Sequence, residues 1–180
     1  MDYVRWLIDG YNVIRRSPEL SSRERESLEA GRRALCELLG RAARSRRDEF
    51  TVVFDGAGGG GAASLAGVRV IFTSARENAD RMLARLAASQ GGAVVSSDRE
   101  VLHAATRAGA VAVTADAFLA QIETLQRAGT PGENEADDTG DDAGVARPKK
   151  GNPRRLGKKA RAAARALGRL GPPGFSGRRG

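Results

Sequence analysis

The chain has one cysteine, one histidine and one tryptophan in 180 residues, and aromatic residues make up only 4% of it. Each scarcity excludes something. The lone Cys36 has no partner for an internal disulfide, and its apolar, helix-like surroundings suit a small core residue better than a reactive thiol. The lone His103 removes zinc sites and triads built on histidine, so any catalysis rests on carboxylates. With no second ligand of its kind, His103 is expected to be structural or solvent-facing. No apolar run is long enough to span a bilayer, and Asp2 and Arg5 stand where a signal peptide would begin. The expectation is a soluble, cytoplasmic protein with no membrane partner.

The net charge of +8 is unevenly spread. Residues 1–126 hold 17 basic and 16 acidic side chains, so the body is nearly neutral. Residues 127–180 hold 13 basic and 6 acidic ones, which places almost all the basicity in the tail. Three regions follow: a folded body over 1–127, an acidic, Gly-rich linker over 128–146, and a basic tail over 147–180, expected to be disordered. Within the tail, Lys158 to Leu170 is rich in Ala and Arg and is expected to turn helical on a partner. Such a segment binds polyanions by counterion release, without base specificity; a purely solubilising role is the alternative.

Strands are marked in the body by short apolar runs. Val4-Arg5-Trp6-Leu7-Ile8 leads directly into Asp9-Gly10, as a buried parallel strand does at the carboxyl edge of an α/β sheet. Thr51-Val52-Val53-Phe54 leads into Asp55, Ala93-Val94-Val95-Ser96-Ser97 into Asp98, and Ala110-Val111-Ala112-Val113 towards Asp116. A further strand runs over Val68–Phe72. Helical spacing of Leu28, Leu35, Leu38 and Leu39 predicts one long helix from an N-cap at Ser21 or Ser22 to about Arg46, preceded by a loop from Tyr11 to Leu20 carrying Pro18. Its arginine-rich face is either solvated or turned to RNA. Helices are also predicted after Ser74, after Arg99 and from Ala115 to Arg127.

Strands alternating with helices predict an α/β fold: a doubly wound, Rossmann-like, mostly parallel five-stranded sheet with helices on both faces. The order third-second-first-fourth-fifth puts Asp9 on the central strand, beside Asp55 and Asp98 at the switch point. The run Gly56 to Ala63 lacks the Lys-Ser/Thr of a phosphate loop and is expected to be a flexible loop over this rim.

Any single strand-terminal aspartate is ordinarily a helix N-cap. Four together, Asp9, Asp55, Asp80 and Asp98, point instead to a site for a hard cation, since packed acids repel and Mg2+ or Mn2+ takes oxygen ligands. In two-metal sites the ions stand ~3.5–4 Å apart, activating the attacking water and stabilising the leaving oxygen.

These residues also carry a resemblance. Leu7-Ile8-Asp9-Gly10-Tyr11-Asn12-Val13-Ile14 resembles the signature of NYN-domain ribonucleases, in the PIN-like superfamily. The blocks Val52-Val53-Phe54-Asp55, Val70-Ile71-Phe72-Thr73 with Glu77-Asn78-Ala79-Asp80, and Ser96-Ser97-Asp98-Arg99 look like those of its bacterial YacP-type branch. Similarity spans about Val4 to Leu125. It implies a PIN-like fold and endoribonuclease activity on RNA, single-stranded or messenger, with the ribosome as a candidate partner. The metal ligands implied are Asp9, Asp80 and Asp98, with Asp55 as a further ligand or orienting group. Asn12 would position Asp9 or a water, Thr73 or Ser97 would bond metal water or phosphate, Glu77 would be an added acid, and Arg99 would bind a substrate phosphate or pair with a nearby acid.

Two other readings stand beside this one. A non-catalytic RNA- or ribosome-binding protein would use the basic tail. A phosphatase is disfavoured because no second aspartate follows Asp9 at two-residue spacing.

Overall fold

The computed structural model describes residues 3–44, 48–56, 59–129 and 157–170. The linker over 128–146 lies outside them from residue 130 on, as do the tail segments 147–156 and 171–180, residues 57 and 58 of the glycine run, and the expected helix end near Arg46.

Strand β1 (Arg5–Asp9) lies at the centre of the sheet, paired in parallel with β2 (Glu49–Phe54) on one side and β5 (Ala93–Ser96) on the other. Its side chains alternate between two cores. Trp6 and Ile8 enter the larger one, where Trp6 meets Phe118 with ring centroids 5.2 Å apart, and Leu7 enters the smaller one opposite. Burial on both faces is why the run is almost uninterruptedly apolar.

Strand β4 (Val68–Ser74) adds in parallel beyond β2, and β6 (Val111–Thr114) in parallel beyond β5. The parallel part of the sheet thus has the expected order. A sixth strand, β3 (Gly59–Leu65), pairs antiparallel with β4 and completes the mixed order β3-β4-β2-β1-β5-β6. Most of the glycine run is therefore an edge strand and not a loop. Leu65 pairs with Val68, and Ala66 and Gly67 between them have φ of 53° and 80°, the two positive values of a tight hairpin turn.

Helices cover both faces. On the side of the larger core are α1 (Gly10–Arg16), α2 (Pro18–Glu26), α3 (Leu28–Arg44) and α6 (Ala115–Gly129). On the other are α4 (Ala79–Gln90) and α5 (Arg99–Arg107). The stretch expected as a loop is helical, because Ser17 ends α1 and caps α2, with Pro18 in the first helical position, where its missing N–H costs nothing. The single long helix expected from Ser21 is two helices, broken at the extended Ser27, whose hydroxyl accepts the Ala30 N–H at 3.0 Å. Cys36 is buried in α3, and burial followed by the charge of Glu37 pushes its thiol up to about 11. His103 is exposed on α5.

Helix α7 (Lys158–Leu170) departs from the expected tail. It packs on β6 and α6, burying Ala166 and Leu170 in the larger core. Its spacing explains this: Ala163, Ala166, Leu167 and Leu170 face inward, while Lys158, Arg161 and Arg165 stay exposed. No helix among the described residues is long and apolar enough to cross a membrane.

Candidate active site

Three of the acids stand at the carboxyl ends of the three central strands, and the fourth joins them from the helix after β4. Asp9 ends β1 and caps α1, Asp55 follows β2, Asp98 follows β5 and caps α5, and Asp80 lies in the first turn of α4. All four line one cavity of about 630 Å³, together with Tyr11, Asn12, Arg15, Arg16, Ala79 and Ser97. The approach of α1 depends on Gly10, where a Cβ would overlap the ring of Phe54, itself fully buried and held against Tyr11 and Phe72.

Asp9 is the most constrained of the four. Its Oδ1 accepts the Asn12 N–H at 3.3 Å and its Oδ2 accepts the Ser96 hydroxyl at 2.9 Å. Burial raises its carboxyl above the ordinary value, an effect only partly offset by these two bonds and reinforced by the charges of Asp80 and Asp98. Asp80 is raised too, first by partial burial and then by Asp98, Asp55 and Glu100. The four acids thus act on one another electrostatically, and among the described residues none of them is ion-paired. Arginines at the rim are engaged elsewhere. Arg15 lies 3.5 Å from Glu24 and over the Tyr11 ring, and Arg16 lies 4.0 Å from Asp116.

The other expected site residues are divided. The Asn12 side chain turns away from Asp9 to accept the Ser97 N–H at 2.8 Å, tying α1 to the β5–α5 junction. Ser97 lines the cavity, and its buried hydroxyl has no hydrogen-bond partner among the described residues. Thr73 does not reach the cavity: fully buried, its hydroxyl donates to Asp55 Oδ1 at 2.7 Å and accepts the Gly56 N–H at 3.2 Å. Glu77 lies outside as well, gripped by Arg85 at 2.9 Å, and that bond holds its carboxyl below the usual range. Arg99 is exposed at the start of α5 and does not line the cavity.

Ser96 is not singled out by the sequence, although the register that pairs Ile8 with Val95 carries it to Asp9. Tyr11, Arg15 and Arg16 are not singled out either, because the sequence predicts a loop where α1 forms. As a helix it presents Asn12 and Arg16 at three and seven residues from Asp9, on one face.

The donor set suits a hard divalent ion, being oxygen-only and mutually repulsive. No three acidic, His or Cys side chains among the described residues are gathered tightly enough to hold an ion by themselves. Strands stand ~4.8 Å apart, so acids at the ends of three neighbouring strands open around a hollow instead of converging on a point. This fits Mg2+ or Mn2+ better than a closed cage, because Mg2+ keeps several waters and uses one or two carboxylates together with substrate phosphates.

A sheet covered on both faces, with aspartates around a hollow at the carboxyl ends of its central strands, is the architecture of an α/β domain that works at that edge of its sheet. The chain belongs to the YacP-like NYN domain family, whose model matches residues 6–149 and so runs past Leu125 into the linker. Two crystal structures of Rae1 (YacP) from Bacillus subtilis are similar to it. One, of a single-substitution mutant of that protein, is 29% identical with a TM-score of 0.60, covering 69% of this chain and 77% of that one. The other is 28% identical with a TM-score of 0.56, covering 71% and 77%. No curated protein matches. NYN domains are generally nucleases of the ribonuclease type, which makes RNA the substrate class of the family.

Proposed function

We propose that this chain is an Mg2+- or Mn2+-dependent endoribonuclease. The observation that carries the proposal is the meeting of four aspartates without ion pairs, drawn from distant parts of the chain, around one cavity. Asp9, Asp80 and Asp98 would hold the ion, and Asp55, oriented by Thr73, would be a further ligand or would orient a bound water. Bound there, a divalent ion supplies Lewis acidity to the phosphodiester and its attacking water. The chain's own contribution is placement. Ser96 and the Asn12 N–H aim the Asp9 carboxylate, the Asn12 side chain fixes the loop that carries Asp98, and Ser97 lines the same cavity.

One observation favours a contribution from beyond the site. The exposed Lys158, Arg161 and Arg165 of α7 form a basic stripe suited to a polyanion, whether the RNA substrate or ribosomal RNA. If that stripe were the whole function, the protein would bind RNA without cutting it.

Incubating labelled RNA with the purified chain and with Asp9→Asn, in Mn2+ or in EDTA, separates the two. Cleavage that needs the metal and disappears in the variant is the expected result. Binding without cleavage in any divalent metal would leave only the binding protein.

A further inference from the structure

We infer that the cavity next to the acid site is a phosphate subsite, in which Arg76 and Arg81 hold the backbone of a single-stranded RNA beyond the position of cleavage. The inference rests on the ribonuclease reading and adds to it where the substrate strand runs.

Asp55 is a wall common to two hollows. One is the acid cavity; the other, about 600 Å³, is lined by Gly56, Ser74, Arg76, Glu77 and Arg81 among others. The first reaches the start of α1 and the second the β4–α4 connection, with Asp55, just past the end of β2, touching both. Charge changes sign along it. On the near side of Asp55 are the aspartates. On the far side Glu77 is neutralised by the two-pronged grip of Arg85, at 3.1 and 2.9 Å, while Arg76 and Arg81 are exposed and make no ion pair among the described residues. Arg81 interacts with Glu77 only through space, adding to the lowering of that acid's pKa after Arg85.

A polyanion approaching four aspartates is repelled unless cations flank the approach. Arg15 and Arg16, on the opposite rim, are already partly neutralised by Glu24 and Asp116. Of the arginines that line the two hollows, Arg76 and Arg81 are therefore the ones without an ion pair among the described residues. Guanidinium groups match phosphate oxygens two at a time, which suits them to this role. Among the described residues that line it, the second cavity has no aromatic residue, so it offers no ring on which a base could stack. Cations without aromatic rings grip backbone first and carry little sequence information.

The test uses the full chain in EDTA, so that cleavage does not interfere, with a fluorescently labelled 12-nucleotide single-stranded RNA titrated at several salt concentrations. R76Q/R81Q is compared with wild type, with the charge-conserving R76K/R81K, and with R107Q, an exposed residue of α5 that lines neither cavity. Loss of two phosphate contacts should flatten the slope of log affinity against log salt by about 1.4, at ~0.7 per single-strand phosphate. The loss should be the same for RNAs of different sequence, largely restored by lysine, and absent in R107Q. Under cleavage conditions in Mn2+, R76Q/R81Q should raise KM several-fold and leave kcat near wild type.

An unchanged affinity and salt slope in R76Q/R81Q would overturn the subsite, as would a loss confined to one RNA sequence or a wild-type chain that binds no single-stranded RNA. The two readings fail separately. A flattened slope without cleavage in any metal would sink the nuclease and keep the subsite. Metal-dependent cleavage with KM and slope unmoved would do the reverse.

Discussion

The Ser96 hydroxyl donates to Oδ2 of Asp9 at 2.9 Å, and the Ser96 oxygen itself accepts the backbone N–H of Asp98 at 3.0 Å. One fully buried side chain thereby sets the positions of two of the four acids. Ser96→Ala would strip a charged-group hydrogen bond worth about 1.5–3 kcal/mol and leave the Asp98 N–H without this acceptor. We expect kcat/KM for RNA cleavage to fall by roughly 10- to 100-fold, the rate equivalent of that energy. The bond to Ser96 lowers the Asp9 pKa, so its removal should also shift the acid limb of the pH profile upward. Wild-type kinetics and an unmoved limb would show that Ser96 does not act through Asp9.

Asp80 links activity to stability with opposite sign. Its folded pKa is raised, so the native chain holds the proton more tightly than the unfolded chain does. Stability therefore declines as pH rises from the ordinary carboxylate value of 3.8 through the raised folded value, and the loss persists at neutral pH. Asp80→Asn removes the charge that causes it. In EDTA at pH 7 the variant should melt above wild type, with the gap closing below pH 3.8, while metal-dependent cleavage is lost. Thermal melts across pH read this directly, and a variant that melts below wild type at pH 7 would contradict it.

Leu170 decides whether α7 belongs to the body. It is 1% exposed at the end of that helix and shares a core with Val113, Phe118 and Ile122. Leu170→Ala should cost about 2 kcal/mol, the low end for a buried leucine because the site lies at a helix terminus. Urea unfolding measures the loss, with Arg165→Gln, on the exposed face, as the neutral control. A tail that folds only on a partner would show no difference between the two.

Much of the architecture was legible in advance because both signals behind it are local. Apolar runs such as Val52-Val53-Phe54 mark strands buried on both faces, and helical spacing between them implies crossovers that make the strands parallel. Strand β3 was not legible. Gly59-Gly60-Gly61-Ala62-Ala63-Ser64-Leu65 has no β-branched or aromatic residue, and it becomes a strand only because β4 offers an edge and the Ala66-Gly67 turn folds it back. The break at Ser27 was hidden for a related reason, since Leu20 and Leu28 keep helical spacing across it.

Asp9, Asp55 and Asp98, and the edge of the sheet they would occupy, were determined by the sequence alone, because an aspartate after an apolar parallel strand can only emerge at that strand's carboxyl end. Their supports were decided by tertiary structure. Whether Ser96 or Ser97 reaches Asp9 depends on strand register, which alternates side chains between faces with every residue. Thr73 serves Asp55, and Glu77 goes to Arg85, through contacts between segments that no local pattern connects. Docking of α7 was likewise a tertiary outcome: an amphipathic helix specifies an apolar stripe, and only the assembled sheet and α6 supply the surface that covers it.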